Sequence, residues 1–311
     1  MPSSAVRPRS ASEIIDAAIQ LFREHFTPML VISAVASLPS LLVGVYNAIV
    51  FLPVFASGVI AQRQLQALAR FYGLFFVSYA WFVVVSGAVV LVAAAAYEGR
   101  TLAPVDALRT TFSRAHRILG AAVLKWIVVG FFAFLGIVVA SITAAAFELL
   151  TGGSMITSRG AIDPAAAGIF LLVMLLAVGL GVALAARPFA RYFGFLPAIM
   201  LENTTARGAL LRSKTLAAGS YLKILGTLVA TYVIYLIIAF TAVGLMRLFT
   251  FKPLAQQLVS GLLATLVSPI LTITVTLLYF DLRIQREGYD LELLATKLGD
   301  PPPPAQSMPV P

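Results

Sequence analysis

Six stretches of this chain carry no Asp, Glu, Lys or Arg over a length that can cross a bilayer, and that leaves few folds open. They run from Phe26 to Gln62, Phe71 to Tyr97, Trp126 to Phe147, Pro164 to Ala186, Ile224 to Met246 and Pro253 to Phe280. A helix needs about 20 apolar residues to span hydrocarbon roughly 30 Å thick, and each stretch provides them. Backbone polar groups in lipid must bond to one another, which restricts spanning segments to helices and closed barrels. Barrel strands would alternate in polarity over about ten residues, and these runs do not. The fold class expected is therefore an all-α integral membrane protein with six transmembrane helices. Composition agrees: 60% of residues are hydrophobic and only 11% charged, with a mean hydropathy of +0.96, far from soluble domains. Little of the 311 residues remains for a further soluble domain.

The charges that do occur are sorted by side. Of the 22 Lys and Arg residues, 17 fall in the N-terminal arm, the 98–125 and 187–223 connections and the tail, against five in the alternate connections. The positive-inside rule then puts both termini and the two long basic connections in the cytoplasm. The formal net charge of +9 reads as this bias plus attraction to anionic lipid. Nucleic acid is not an expected partner, because no basic patch is interleaved with aromatics. Cysteine is absent, which removes disulfides, thiolate metal sites and cysteine nucleophiles. The first 25 residues hold no short apolar core with a small-residue cleavage site, so the N-terminus is expected to be retained.

Between the spans lie amphipathic segments that recur. Ser10 and Glu13 have the spacing of a capping box, and after them Ile14, Ile15, Ala18, Ile19, Leu21, Phe22 and Phe26 share one half of a helical wheel, with Glu13, Asp16, Gln20, Arg23 and Glu24 on the other. A second surface helix carries Val105, Leu108, Phe112, Ala115 and Leu119 on one arc and Arg109, Arg114 and Arg117 opposite. A third, Thr204 to Ala218, sets Ala206, Ala209, Leu210, Leu216 and Ala217 against Arg207 and Lys214. Asp16-Ala17 and Phe22 stand 90 residues before Asp106-Ala107 and Phe112, and Glu98 with Ala107-Leu108 matches Glu202 with Ala209-Leu210. The chain reads as three tandem units, each a surface helix plus two spans, at about 10–97, 103–201 and 204–280. Residues 1–299 form one six-span domain. A cytoplasmic tail helix is expected over 281–299, and a disordered Pro-rich tail over 300–311.

Local sequence flags where the spans depart from straight rods. Pro28, Pro39 and Pro53 predict a kink near Pro39, or a span followed by an outer segment. If the fourth span continued to Glu202, its roughly 38 residues would reach about 57 Å, so it must tilt, break or extend, with Pro188 and Pro197 as places to break. Gly179, Gly181, Ala183 and Ala185 are expected to allow close helix packing. TGGSMITSRGAID reads as an outer loop.

Three pieces, SASEIIDAAIQLFREHF at the start, LPAIMLENTTARGALLRSKTLAAGSYLKILG in the second half and LLYFDLRIQREGYDLELL at the end of the last span, together resemble the glycerophosphoryl diester phosphodiesterase membrane-domain family of prokaryotic membranes. Glu202, Ala209-Leu210, Arg212-Ser213, and Asp281-Leu282-Arg283 through Asp290-Leu291-Glu292 are the most specific positions. The resemblance implies a multi-pass module of the prokaryotic cell (inner) membrane. It does not imply hydrolysis, because the catalytic barrel of fused family members is missing from this chain.

Few residues suggest chemistry. His25 and His116 are read at C-terminal ends of surface helices, without the further ligands a metal needs. Glu98 and Glu202 could form an acid/base pair, but read more simply as structural acids at helix N-termini, where negative charge is favoured. No catalytic, cofactor or metal site is expected. Asp281, Arg283, Arg286, Glu287, Asp290 and Glu292 alternate in sign as a solvated exit from the last span, or as a docking point for a cytoplasmic partner.

The candidate sites for anionic lipid or another ligand are Arg187, Arg191, Arg212 and Lys214. Arg187 and Arg191 lie 15 and 11 residues ahead of Glu202 and share a helix face. They either snorkel to the interface or hold a phosphate-bearing head group. The function expected is a non-enzymatic membrane module binding anionic lipid, or a membrane or cytoplasmic protein partner, at its cytoplasmic face. The alternative is a permease for a lipid-like or neutral molecule, since coupled transport of ions would need more ionisable residues within the spans.

Overall fold

A computed structural model describes residues 9–56, 62–151, 164–248 and 252–288. The expected outer loop at 151–163 falls mostly outside these residues. So do the tail helix beyond Gly288, with Asp290 and Glu292, and the Pro-rich tail. The described residues are helical, without a strand, and six helices are long and apolar enough to cross a membrane. This is a multi-pass membrane protein.

The elements are α1 Ala11–Glu24, α2 Phe26–Tyr46, a π-helical turn Asn47–Phe51, α3 Leu52–Ala56, α4 Gln62–Tyr97, α5 Pro104–Ser113, α6 Ala115–Thr151, α7 Pro164–Arg191, α8 Phe195–Glu202, α9 Ala206–Ala217, α10 Tyr221–Leu248 and α11 Pro253–Glu287. A short helix followed by two long ones occurs three times in this order. The capping box at Ser10 forms, with the Ser10 hydroxyl accepting from the Glu13 N–H and the Glu13 carboxylate accepting from the Ser10 N–H. α1 then buries Ile14, Ile15, Ala18, Leu21 and Phe22 against α10 and α11.

The second half of α4 is the axis. Val83 to Val90 are buried without a gap, a pattern that requires neighbours all round, and α2, α5, α6, α8 and α11 supply them. In α4, 56% of the most apolar window is buried, against 11% in each of α6, α7 and α10, so those three turn most of their surface to lipid. α6 and α7 pack mainly on each other. Their crossing is at Gly136 and Gly181, where a Cβ on Gly136 would collide with the Gly181 Cα. The neighbouring Gly179 has open space around it, so of the glycines expected to pack closely only Gly181 does.

The prolines act differently from one another. α2 passes through Pro39 without ending. The carbonyl deprived of a partner by Pro39 is that of Val35, four residues earlier, and it accepts instead from the Trp81 indole N–H at 2.8 Å. The expected interruption comes later, in the π-helical turn preceding Pro53, where the Leu52 N–H reaches back to the Asn47 carbonyl. In the fourth span the break falls between the two flagged prolines, at Tyr192 to Gly194. Pro197 thereby becomes the third residue of α8, in the first turn, where no intrahelical donor is required of it.

The second surface helix is shorter than the periodicity predicts. α5 stops at Ser113 with Arg114 as its cap, and Ala115 and Leu119 belong to the long α6. His116 consequently lies at the start of α6 rather than at a helix C-terminus, whereas His25 does cap the C-terminus of α1.

Candidate functional site

α1, α5, α8, α9 and the final turns of α4 and α11 gather at one end of the bundle, and the polar chemistry is concentrated there. Its centre is the break in the fourth span. Interrupting a helix frees backbone groups that are costly to bury unpaired. Ser213 of α9, itself wholly buried, satisfies both sides, donating its hydroxyl to the Arg191 carbonyl at 2.9 Å and accepting from the Gly194 N–H at 2.9 Å. Position 194 is a glycine for steric reasons, because a Cβ there would lie 2.7 Å from the Tyr279 ring.

The far end of α8 is tied down by cations. Asn203 ends the helix in the left-handed conformation at φ 53°, which Asn tolerates better than most residues. The Arg114 guanidinium donates to the carbonyls of Ile199 and Met200 at 3.2 and 2.7 Å. Arg117 donates to the backbone and side-chain oxygens of Asn203 at 3.2 and 2.9 Å. These two arginines, expected on the polar arc of the second surface helix, meet the negative end of a helix dipole, Arg114 in a part-buried contact and Arg117 at the surface.

Glu98 and Glu202 also stand at C-terminal helix ends, not at the N-termini expected from the sequence: Glu98 follows the last residue of α4 and Glu202 is the last of α8. A carboxylate is disfavoured at such an end, and arginines compensate. Glu98 pairs with Arg100. Glu202 accepts from Arg212 through both oxygens, at 2.7 and 3.0 Å, and from the Tyr279 hydroxyl at 2.5 Å, with Arg283 at 3.7 Å. Arg212 also binds Glu287, which Arg283 reaches at 3.3 Å. Burial opposes the charge on Arg212, but its hydrogen bonds to Glu287 and Glu202 and their charge more than offset this, holding its pKa above the ordinary guanidinium value. Arg212 is therefore an internal clamp joining α8, α9 and α11.

The sign-alternating exit of α11 is likewise not solvated throughout. Asp281 is only 6% exposed. It accepts from the Arg9 backbone N–H at 3.0 Å, Lys223 at 2.6 Å and Gln285 at 2.6 Å, tying the start of the described chain to α10 and α11.

Arg187 and Arg191 differ from these neutralised cations. They occupy the last turns of α7 on either side of Tyr221, the first residue of α10. The Arg187 guanidinium lies 5.8 Å from the ring centroid, and Arg191 Nε donates to the hydroxyl at 3.4 Å. Arg187 is exposed and Arg191 half-buried, and among the described residues neither pairs with a carboxylate. Lys214 is exposed on α9. Of the four cations expected to bind a ligand, Arg187 and Arg191 come together, Arg212 is occupied, and Lys214 stands alone.

One buried cation escaped the sequence reading. Lys125, expected in the basic connection, sits inside α6 and is 8% exposed. Its ammonium faces the rings of Phe189 and Phe195 at 4.5 and 5.2 Å, a cation–π contact joining α6, α7 and α8.

A cavity of about 300 Å³ lies between the ends of α4, α8 and α11, with Glu98, Arg100, Thr101 and Arg283 in its wall. No group of three or more His, Asp or Glu side chains able to hold a metal occurs among the described residues. No protein-family model, curated protein or solved structure matches this chain.

Proposed function

We propose that this protein is a non-enzymatic module of the prokaryotic cell membrane, of the glycerophosphoryl diester phosphodiesterase membrane-domain kind, whose charged end faces the cytoplasm and holds anionic phospholipid. The observation that carries this reading is the Arg187–Tyr221–Arg191 group. Its two guanidiniums lie on a lipid-facing helix at the boundary between apolar and charged surface, and no carboxylate neutralises them. Of the other cations near the break, Arg212, Arg283 and Lys223 are matched by Glu202, Glu287 and Asp281, Arg114 and Arg117 by oxygens at the end of α8, and Lys125 by two aromatic rings. A planar guanidinium presents paired donors that suit phosphate oxygens. Snorkelling alone would leave these donors to water. A protein partner on the same face is the lesser reading, because Arg187 and Arg191 belong to a spanning helix whose exposed side is apolar.

Native mass spectrometry of the protein released from mild detergent tests the proposal by counting retained phosphatidylglycerol and cardiolipin. Each basic side chain at an anionic surface contributes about 1 kcal/mol. Changing both Arg187 and Arg191 to Gln should therefore weaken retention roughly 30-fold with unfolding unaltered, and Arg187→Lys should do so less. Equal lipid occupancy in the double variant and the wild type would leave only the snorkelling account.

A further inference from the structure

A second cavity lies at membrane depth, away from the charged end. It measures about 700 Å³ and is enclosed by α2, α4, α10 and α11, a size within the range of about 300 to 1,000 Å³ usual for small-molecule sites. None of the residues lining it is charged. Its wall is apolar except for hydroxyls and one amide, and several of these have bonding capacity to spare. Tyr232 and Tyr235, whose rings stack at 6.0 Å, make no hydrogen bond among the described residues. The Gln257 side chain makes none either, although its tip is pressed against α2 at Gly44. Tyr79 accepts from the Trp126 indole at 2.6 Å, which leaves its own proton to donate. Ser40 shares one hydrogen bond with Ser78 at 3.0 Å, so one proton of that pair is also free.

Phe75, Tyr232, Val243 and Leu271 line the same cavity and are exposed. All four belong to spanning helices, whose surroundings are hydrocarbon, and we take the opening beside them as lateral. Unmatched donors and acceptors in hydrocarbon are unfavourable unless something pairs with them. A phosphate-bearing head group would be worse placed still, since no cation lines the site to offset its desolvation.

We propose that this cavity binds one uncharged amphiphilic lipid of the diacylglycerol type, with its hydroxyl and ester oxygens on Tyr79, Tyr235 and Gln257 and its chains leaving through the lateral opening. The site is separate from the Arg187–Arg191 seam and takes a ligand of opposite electrostatic character, so either proposal can fail without the other.

The test uses the full chain in lipid nanodiscs with a diacylglycerol carrying a photoactivatable group in one acyl chain, beside a phosphatidate with the same chains, and maps cross-linked peptides. The diacylglycerol probe should label residues 232–243 and 257–271, and excess dioleoylglycerol should suppress that labelling. Tyr235→Phe and Gln257→Leu, which alter polarity with little change of volume, should each lower it about fivefold, the worth of one hydrogen bond. Phosphatidate should label the lipid-facing surface of α6 and α7 without this preference. Equal cavity labelling by both probes, labelling that resists competition, or labelling unchanged in Tyr235→Phe would overturn the proposal. Should Gln257→Leu not fold, Tyr235→Phe alone decides.

Discussion

Ser213 is a single hydroxyl placed where a spanning helix is cut, and it replaces two backbone partners at once. Its removal strands the Arg191 carbonyl and the Gly194 N–H, and each stranded buried group costs about 1 to 3 kcal/mol. Ser213→Ala should therefore destabilise the protein by roughly 2 to 6 kcal/mol in denaturant unfolding from detergent micelles, and a loss below about 0.5 kcal/mol, the size of an ordinary surface change, would contradict the bridge. The sequence exposes some residues of this region and conceals others. Arg187 and Arg191 stand out because charge inside an apolar run is expensive wherever it points. Ser213 carries no such mark, since its partners become neighbours only when α9 folds beneath the break. Glu202 was readable as an acid at a helix terminus, but not at which one. The residue that decides is Asn203, which ends α8 in the left-handed region. Arg212 reads as a free cation because its counter-charges lie on other helices, Glu202 10 and Glu287 75 residues away in sequence. Lys125 reads as part of the 98–125 basic connection because the rings that face it come from α7 and α8.

Helices, by contrast, were largely written in composition. All six spans appear where charge is missing, α1 begins at its predicted capping box although Phe26 of its predicted arc opens α2, and α9 lies within two residues of its predicted bounds. α5 is the exception: its apolar arc runs on into α6 without a change of period, and only the break at Arg114 separates them. Prolines marked the irregular places but not their form, because a lost backbone bond is made good by whatever lies nearby: Trp81 beside Val35, a π-helical turn before Pro53, a new helix start before Pro197. Glycines are similarly ambiguous until the partner helix is known. The α6–α7 pair gives a direct comparison. Gly181→Ile should force the two backbones apart and cost about 1 to 3 kcal/mol, whereas Gly179→Ile, two positions away in open space, should stay within about 0.5 kcal/mol of wild type. Comparable losses at both positions would mean that the hairpin does not cross at Gly136.

Across the whole molecule, polar chemistry and lipid contact are segregated. The charged end is cross-linked by Arg114, Arg117, Arg212, Lys223 and Asp281 and holds fully buried core residues, including Ile14, Ile118, Ile199, Leu216 and Leu278. Away from it, α6, α7 and α10 present Leu, Ile, Val and Phe outward. Such a molecule has one charged, cross-linked end and one apolar body, and the proposed binding of anionic lipid requires that end to meet the leaflet where cytoplasmic anionic lipid resides. Orientation is thus the point on which the account turns, and the absence of native cysteine allows it to be read one site at a time. Single variants Ser12→Cys and Ser113→Cys report the charged end and Gln66→Cys the opposite end, all at exposed positions. Treated in intact cells with a membrane-impermeant thiol reagent, Gln66→Cys should be labelled at once, and Ser12→Cys and Ser113→Cys only after permeabilisation. Labelling of Ser113→Cys in intact cells, with Gln66→Cys protected, would put the charged end outside and contradict the account.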